Sequence, residues 1–337
     1  MSKVVLGLSG GVDSAVAARL LQRDQHEVFG LFLDIGTEEG RRDAISTAES
    51  LEIPLKILDI RDALETHVCA PFLHHYLRGE TPNPCILCNP TVKFQQLLTY
   101  ADTLGAEWIA TGHYARAEAG SLFKGHPSND QSYMLSRLRP EQVRRLLLPL
   151  GAYEKARVRA LAEEFHIPVA HKPDSMEICF IPDKDYIGWI SRRAPGPPPG
   201  DILFDGAPIG RHEGIHRYTV GQRLPGLYRE RKIYVGALRP EINAVVAVLW
   251  EELFKHDFYV ADVSWLIDPP SEPLRGSVRV RHTKWENPGC TLFPDGDLVR
   301  VHTDEPVRAP APGQAAAFYD DTRLIGGGRL IASDRPI

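Results

Sequence analysis

What is scarce in this chain narrows it first. Five cysteines in 337 residues, at positions 69, 85, 88, 179 and 290, form no secreted-type disulfide framework. In a reducing compartment closely spaced cysteines favour catalysis or metal binding instead, and here only Cys85 and Cys88 are close. No apolar run reaches the roughly 20 residues a spanning helix needs, so no membrane association is expected. The N-terminus runs directly into a strand-like stretch rather than a secretory signal. The chain is therefore read as cytoplasmic. A dominant charge sign is missing too: 39 basic residues against 44 acidic ones leave a net charge of −5, with no global sign of nucleic-acid binding. A local basic run does occur (Arg137, Arg144, Arg145, Lys155, Arg157, Arg159), and taken alone it reads as solvated helix face. There is no internal repeat, no Gly-Lys-Ser/Thr phosphate loop and no Gly-x-Gly-x-x-Gly fingerprint.

What is present organises itself around Gly7-Leu8-Ser9-Gly10-Gly11-Val12-Asp13-Ser14. An apolar run (Val4, Val5, Leu6) leads in, and a helical pattern with Val16, Ala17, Leu20 and Leu21 on one face leads out. A strand, a tight turn and a helix start aim backbone N–H groups at one point beside the positive end of the helix dipole. Gly10 and Gly11 allow a bulky anion to approach the backbone. Ser9 and Ser14 add hydroxyls, and Asp13 is placed to hold a cation or orient a nucleotide.

From Lys3 to about Thr111, strand-like runs (Val4–Leu8, Val28–Leu33, Leu55–Ile60, Trp108–Thr111) alternate with helical ones (Ala15–Gln22, Arg41–Leu51, Leu64–Leu77, Val92–Leu104). Such alternation predicts a parallel sheet covered by helices on both faces, with ligands at the carboxyl ends of the strands. Thr111-Gly112-His113-Tyr114 follows its strand directly and is expected on the same edge as Ser9–Ser14. From Glu141 to Phe165 the pattern reads as helical. The Pro-rich break Pro195–Gly200 ends this region. Short alternating runs follow (Tyr218–Val220, Ile233–Val235, Val245–Leu249, then Phe258–Val260, Val278–Arg281, Leu298–His302, Ala315–Tyr319) and predict two small all-β domains, the last a barrel or sandwich. The expected division is 1–196, 197–253 and 254–337.

A second focus is Thr81-Pro82-Asn83-Pro84-Cys85-Ile86-Leu87-Cys88-Asn89. Its prolines predict an extended approach, with both cysteines in a loop just before the Val92–Leu104 helix, where the dipole would stabilise a thiolate. A single Cys-x-x-Cys leaves a redox pair, half a zinc site and part of a cluster all open. A third focus, Asp174-Ser175-Met176-Glu177-Ile178-Cys179-Phe180-Ile181, puts a cysteine among apolar residues, where an inert core thiol is the commoner outcome; Cys69 and Cys290 are read that way.

These stretches together carry a resemblance. The Ser9–Ser14 loop resembles the SGGxDS loop of the N-type ATP pyrophosphatases. That loop, TPNPxxxCN with Lys93-Phe94, Ala110–Arg116 (ATGHYAR), Asp130–Leu135 (DQSYxL), DSxxICFI, Tyr218–Arg223 (YTVGQR), Pro312–Tyr319 (PGQxAxFY) and Gly326-Gly327-Gly328 occur in the order found in tRNA-specific 2-thiouridylases. The resemblance covers nearly the whole chain. It implies an ATP pyrophosphatase domain followed by two small β domains, the last a barrel. It implies ATP with Mg²⁺ at Gly7, Leu8, Ser9, Gly10, Gly11, Val12, Asp13, Ser14, Leu33 and Gly112, and sulfur insertion at C2 of the wobble uridine of tRNA. By the same resemblance Cys88 is the nucleophile and Cys179 carries a persulfide. Asn83, Pro84 and residue 85 surround the target base, and His113, Asn129, Asp130, Gln131, Arg281, His282 and Gln314 contact tRNA. A protein or hydrosulfide must donate the sulfur.

One position departs from the family pattern. Many members have Asp where this chain has Cys85, in an acid/base role that a thiol does not inherit. Cys85, Cys88 and Cys179 then form a candidate set for a 4Fe–4S cluster with one open iron, or for persulfide chemistry with Cys85 as a resolving or bystander thiol. Zinc lacks an evident fourth ligand. Two other functions stay open: an ATP pyrophosphatase acting on a small molecule, and a non-catalytic, ATP-regulated RNA-binding protein.

Overall fold

A computed structural model of the protein describes residues 1–173, 178–227, 231–281 and 287–332. Its N-terminal part is a parallel sheet of five strands: Lys3–Gly7, Glu27–Asp34, Leu55–Asp59, Trp108–Ala110 and Leu146–Leu147. In spatial order the third strand comes first, then the second, the first, the fourth and the fifth. The order reverses between the first and fourth strands, the switch point where ligands bind in sheets of this kind. Val4 and Leu6 on one face of the first strand join Val16, Ala17, Leu20 and Leu21 of the helix Val12–Arg23 in one core. Val5 on the other face packs with Phe94, Leu97 and Leu98. The period-two alternation of a strand buried on both faces decides this split.

The stretch 141–165 is not one helical unit. It holds a helix Pro140–Arg144, the strand Leu146–Leu147 and a helix Lys155–Glu164. Leu146 and Leu147 align with Ile109 and Ala110, and pairing at the sheet edge overrides their helical spacing. The cysteine loop is corrected too. Asn83 accepts from the Cys85 N–H, and a helix begins at Pro84. It runs on through a wide turn, Asn89–Lys93, into Phe94–Leu104. Pro90 lies in that wide turn; it has no N–H and cannot take a regular ladder bond. Its own carbonyl accepts from Gln142 Nε2 at 2.8 Å.

Beyond the Pro-rich break lies a four-stranded sheet of Gly200–Phe204, Ala207–His212, Ile233–Arg239 and Ala244–Leu249. Tyr218-Thr219-Val220 does not join it as a strand: Ile215–Arg217 forms a tight turn just before it, and Gly221 takes φ +88° just after it. The last region closes on itself because Phe254–Trp265 pairs with both Leu298–Arg308 and Arg323–Ile331. Gly326, Gly327 and Gly328 sit on the closing strand, where added Cβ atoms would meet the carbonyl oxygens of Ser264, Ala316 and Ala261 at 2.7, 2.6 and 2.4 Å. The barrel also recruits the hairpin Ala115–Glu118 and Ser121–Lys124 from the N-terminal region, through Arg323 and Leu324. No helix among the described residues is long and apolar enough to cross a membrane.

Candidate active site

The Ser9–Ser14 loop leaves the first strand at its carboxyl end. Gly10 takes φ +75°, and Ser14 Oγ donates to the Gly11 carbonyl at 3.0 Å while accepting from the Ser9 N–H at 3.2 Å. Gly11 caps the helix Val12–Arg23 with no side-chain acceptor, and first-turn N–H groups have no partner within a helix. The structure brings Gly112 against this loop: a Cβ there would lie 3.0 Å from Asp13 C and Ser14 N. The Tyr114 hydroxyl donates to Asp13 Oδ1 at 2.6 Å. Leu33 stands at the carboxyl end of the neighbouring strand Glu27–Asp34. Next to it Asp34 is buried. Burial alone would raise its pKa, but the Arg41 guanidinium and the Gly36 N–H outweigh that and hold it below the usual carboxylate value.

Reading the basic run as solvated helix face missed Lys155. Its Nζ lies 2.7 Å from both carboxylate oxygens of Asp13. Arg157, two residues on, does face solvent and pairs with Glu164. The two differ because Lys155 opens the helix Lys155–Glu164, at the end that meets the loop. Only tertiary packing carries that signal.

Cys85 is exposed and Cys88 half-buried. Cys88 packs at the margin of an apolar cluster of Val68, Phe72, Val92, Ile181, Trp189 and Ile190. Leu33, Ile178 and Phe180 border the same cluster, which brings the Cys179 segment to the side of Cys88 and both toward the carboxyl ends of the sheet strands. The dipole does not win at Cys88. Burial pushes its pKa up, and the Lys93 ammonium and the Lys93 N–H pull it only partly back. At Cys179 desolvation by the surrounding protein, then the neighbouring Cys88 and Cys85 sulfurs, push the pKa up to about 11, although the residue lies at the surface. Cys69 and Cys290 are buried, with burial pushing each up to about 12.

The three thiols influence one another, yet among the described residues no three His, Cys, Asp or Glu stand close enough to hold a metal ion. Asp174–Glu177, the start of the third motif, lies outside the described residues, as does His282.

Of the remaining candidate residues, Asp130, Arg281 and Gln314 bond between separate regions of the chain, and the others bond within the N-terminal region. Asn83 Nδ2 reaches the Met134 sulfur at 3.8 Å, and Pro84 is buried. His113 Nδ1 is 2.7 Å from Thr111 Oγ1, its ring stacks on Phe94, and desolvation holds its pKa well below the usual imidazole value, so it is neutral. Asn129 donates to the Tyr153 carbonyl, and Gln131 exchanges bonds with the Tyr114 backbone. The Asp130 carboxylate is 6% exposed, pairs with Arg279 at 2.8 Å and accepts from Gly125 and Ser132. Arg281 donates to the carbonyls of Val220 and Ala309, and Gln314 to that of Thr81.

Three family profiles match in sequence: a "tRNA methyl transferase HUP domain" over residues 2–183, a "tRNA methyl transferase PRC-barrel domain" over 190–248 and an "Aminomethyltransferase beta-barrel domain" over 255–330. The tRNA-specific 2-thiouridylase of Syntrophotalea carbinolica is 41% identical over 96% of this chain and 97% of its own. That of Pelotomaculum thermopropionicum is 41% identical over 98% and 97%. The chain belongs to the tRNA-specific 2-thiouridylase family. Among solved structures, a U34-tRNA thiolase from Methanococcus maripaludis matches with a TM-score of 0.37 and 22% identity over 57% of this chain and 63% of that one. At that score the likeness carries no inference about chemistry.

Proposed function

We propose that this protein makes 2-thiouridine in tRNA, activating O2 of the wobble uridine with ATP and then replacing it with sulfur. One observation carries this reading. Leu33 stands at the strand ends beside the phosphate-type loop and also borders the apolar cluster that holds Cys88 and the Cys179 segment. Nucleotide and sulfur chemistry thus share one wall.

Uracil O2 is a poor leaving group, so it must be adenylated first. The N–H groups of the Gly7–Ser14 loop and the end of the helix receive the phosphates, with Leu33 and Gly112 beside the nucleoside. Asp13 is the residue for Mg²⁺, which when bound would neutralise phosphate charge. The uridine leaves its stack to reach Asn83, Pro84 and Cys85, as enzymes that modify a base require. The terminal sulfur of a persulfide that a donor has loaded on Cys179 bonds to C2 as AMP leaves with O2. The Cys88 thiolate then attacks the Cys179 sulfur, so the S–S bond breaks and the sulfur stays on the base. The Cys88–Cys179 disulfide left behind is reduced by an external thiol. Burial raises the Cys88 thiol, so it attacks only after giving its proton to a base in the assembled complex. No step here passes through iron. His113, Asn129, Asp130, Gln131, Arg281, His282 and Gln314 shape the tRNA face, with Asp130 acting as a brace for its loop rather than as a direct contact. We assign residues 1–196 to catalysis, and 197–253 and 254–337 to gripping the tRNA by shape and phosphate contacts.

The test is pyrophosphate release with and without added tRNA. Release should require tRNA, and Asp13→Ala should abolish it while leaving tRNA binding intact. Release without any RNA would favour a small-molecule synthetase, and no release under any condition a non-catalytic RNA-binding protein.

A further inference from the structure

Asp13 is already occupied in this structure. Lys155 Nζ contacts both its oxygens at 2.7 Å, and the Tyr114 hydroxyl contacts one of them at 2.6 Å. The ammonium also lies 5.5 Å from the centroid of the Tyr114 ring. Asp13 is in the first turn of the helix Val12–Arg23, so Lys155 is a cation at the mouth of the loop that would receive phosphates. Packing puts it there. Val158, Leu161 and Ala162 of its helix share one core with Ala15, Ala18 and Leu21 of the loop's helix. The two side chains are 27% and 31% exposed. Water and an incoming anion both reach such a pair, and pairs this open are weak enough to exchange.

We propose that Lys155 is the leaving-group residue of adenylation, held on Asp13 while the site is empty and transferred to the β- or γ-phosphate when ATP enters. This rests on the adenylation reading above. Electrostatics drives the exchange. The divalent cation that accompanies ATP and the Lys155 ammonium repel each other if both stay in contact with one half-exposed carboxylate. Asp13 would hold the divalent ion that accompanies ATP, and Lys155, displaced from that carboxylate, would find its strongest available partner in the polyphosphate beside it. In the step itself uracil O2 forms a bond to the α-phosphorus, and the bond from that phosphorus to its bridging oxygen breaks. The electron pair leaves on pyrophosphate, and the N3 proton of the base goes to water. Lys155 keeps its three protons and neutralises charge gathering on the leaving group. In the empty enzyme the same lysine compensates Asp13, so the loop is held in shape before substrate arrives.

The experiment is calorimetric binding of α,β-methylene-ATP and of AMP, each with magnesium and without tRNA, to full-length K155M and K155R. K155M should weaken the triphosphate analogue tenfold or more and AMP less than threefold, because AMP lacks the phosphates that Lys155 would hold. K155R should recover most of the analogue's affinity. Thermal midpoints of D13N, K155M and the double variant give a second readout. Without nucleotide their shifts should be non-additive, and with the analogue bound the coupling should vanish. A lysine with a purely structural role would lower both affinities alike and stay coupled to Asp13 in both states, and either result would overturn the inference. A parental protein that binds neither nucleotide would refute the adenylation reading, and this inference with it.

Discussion

The two halves of the site are built on opposite principles. Around Asp13, polar atoms stand in direct contact: a lysine, a tyrosine hydroxyl and a glycine packed against the loop all converge on six consecutive residues. Around Cys88 there is mostly hydrocarbon, and the thiols are held by apolar packing that raises their pKa. The first half is a preorganised charge site, ready for an anion before one arrives. The second raises the Cys88 and Cys179 thiols, which disfavours their thiolates. That suits a site that must not attack until a base has been activated beside it. Holding a nucleotide calls for fixed charges, whereas holding a reactive sulfur calls for their exclusion.

The comparison breaks most readily at the loop. Gly10→Ala places a Cβ 2.8 Å from Asp43 Cβ and 2.9 Å from Ala44 N, at φ +75°. Pyrophosphate release should fall about 100-fold or more, the scale of a misplaced catalytic group, and the thermal midpoint should fall with it. Gly11 has φ −99° and room for a Cβ, with only Ser9 Oγ nearby at 3.5 Å. Gly11→Ala should therefore keep its thermal midpoint and lose nucleotide affinity alone. Equal melting losses in the two variants would show that the loop's shape does not depend on the left-handed turn.

A smaller effect is expected at Cys85. On the persulfide route, which gives Cys85 no step, Cys85→Ala should thiolate tRNA within about tenfold of the parent, short of the roughly 100-fold or more that losing a general acid or base costs. Its pyrophosphate release should be unchanged. Thiolation assayed alongside the iron content of an anaerobic preparation decides the matter. Joint loss of iron and thiolation in Cys85→Ala would instead make the sulfur half a metal site.

The smallest predicted change is a shift along the pH axis. Lys93 favours the Cys88 thiolate, so Lys93→Met removes a stabiliser of the charged form and raises the thiol further. Alkylation of Cys88 should be slower at any fixed pH near neutrality, and its rate should climb only at higher pH than in the parent. Pyrophosphate release should not move. A curve shifted to lower pH would mean that the apolar surroundings do not dominate this thiol.

Much of the nucleotide half was legible because it is local. Strand, turn and helix start are contiguous in sequence, and the placement of Thr111–Tyr114 on the same edge follows from parallel strands ending together. Lys155 was not legible. A lysine that opens a helix looks the same in sequence whether its helix end faces water or another element. The cysteine motif was read as a loop because two prolines precede it and favour an extended approach. Asn83 caps that segment and Pro84 suits a helix's first position, so the same residues that argued for extension start a helix. The dipole argument then failed for a tertiary reason, since Cys88 packs against an apolar cluster and burial raises its thiol.

By itself the sequence determined the alternation that yields a parallel sheet, the glycine turn at its edge, the proline break and the short strands beyond it. These rest on local periodicity and backbone freedom, which neighbours along the chain encode. Only the tertiary structure decided that Leu146–Leu147 is an edge strand and that the hairpin at 115–124 joins the barrel. Only it turned Asp130 inward to Arg279, seated Lys155 on Asp13, and brought Ile178 and Phe180 to the cluster beside Cys88. Each of these is a contact between residues far apart along the chain, and it forms because burying apolar area and pairing buried charge outweigh what the local sequence prefers.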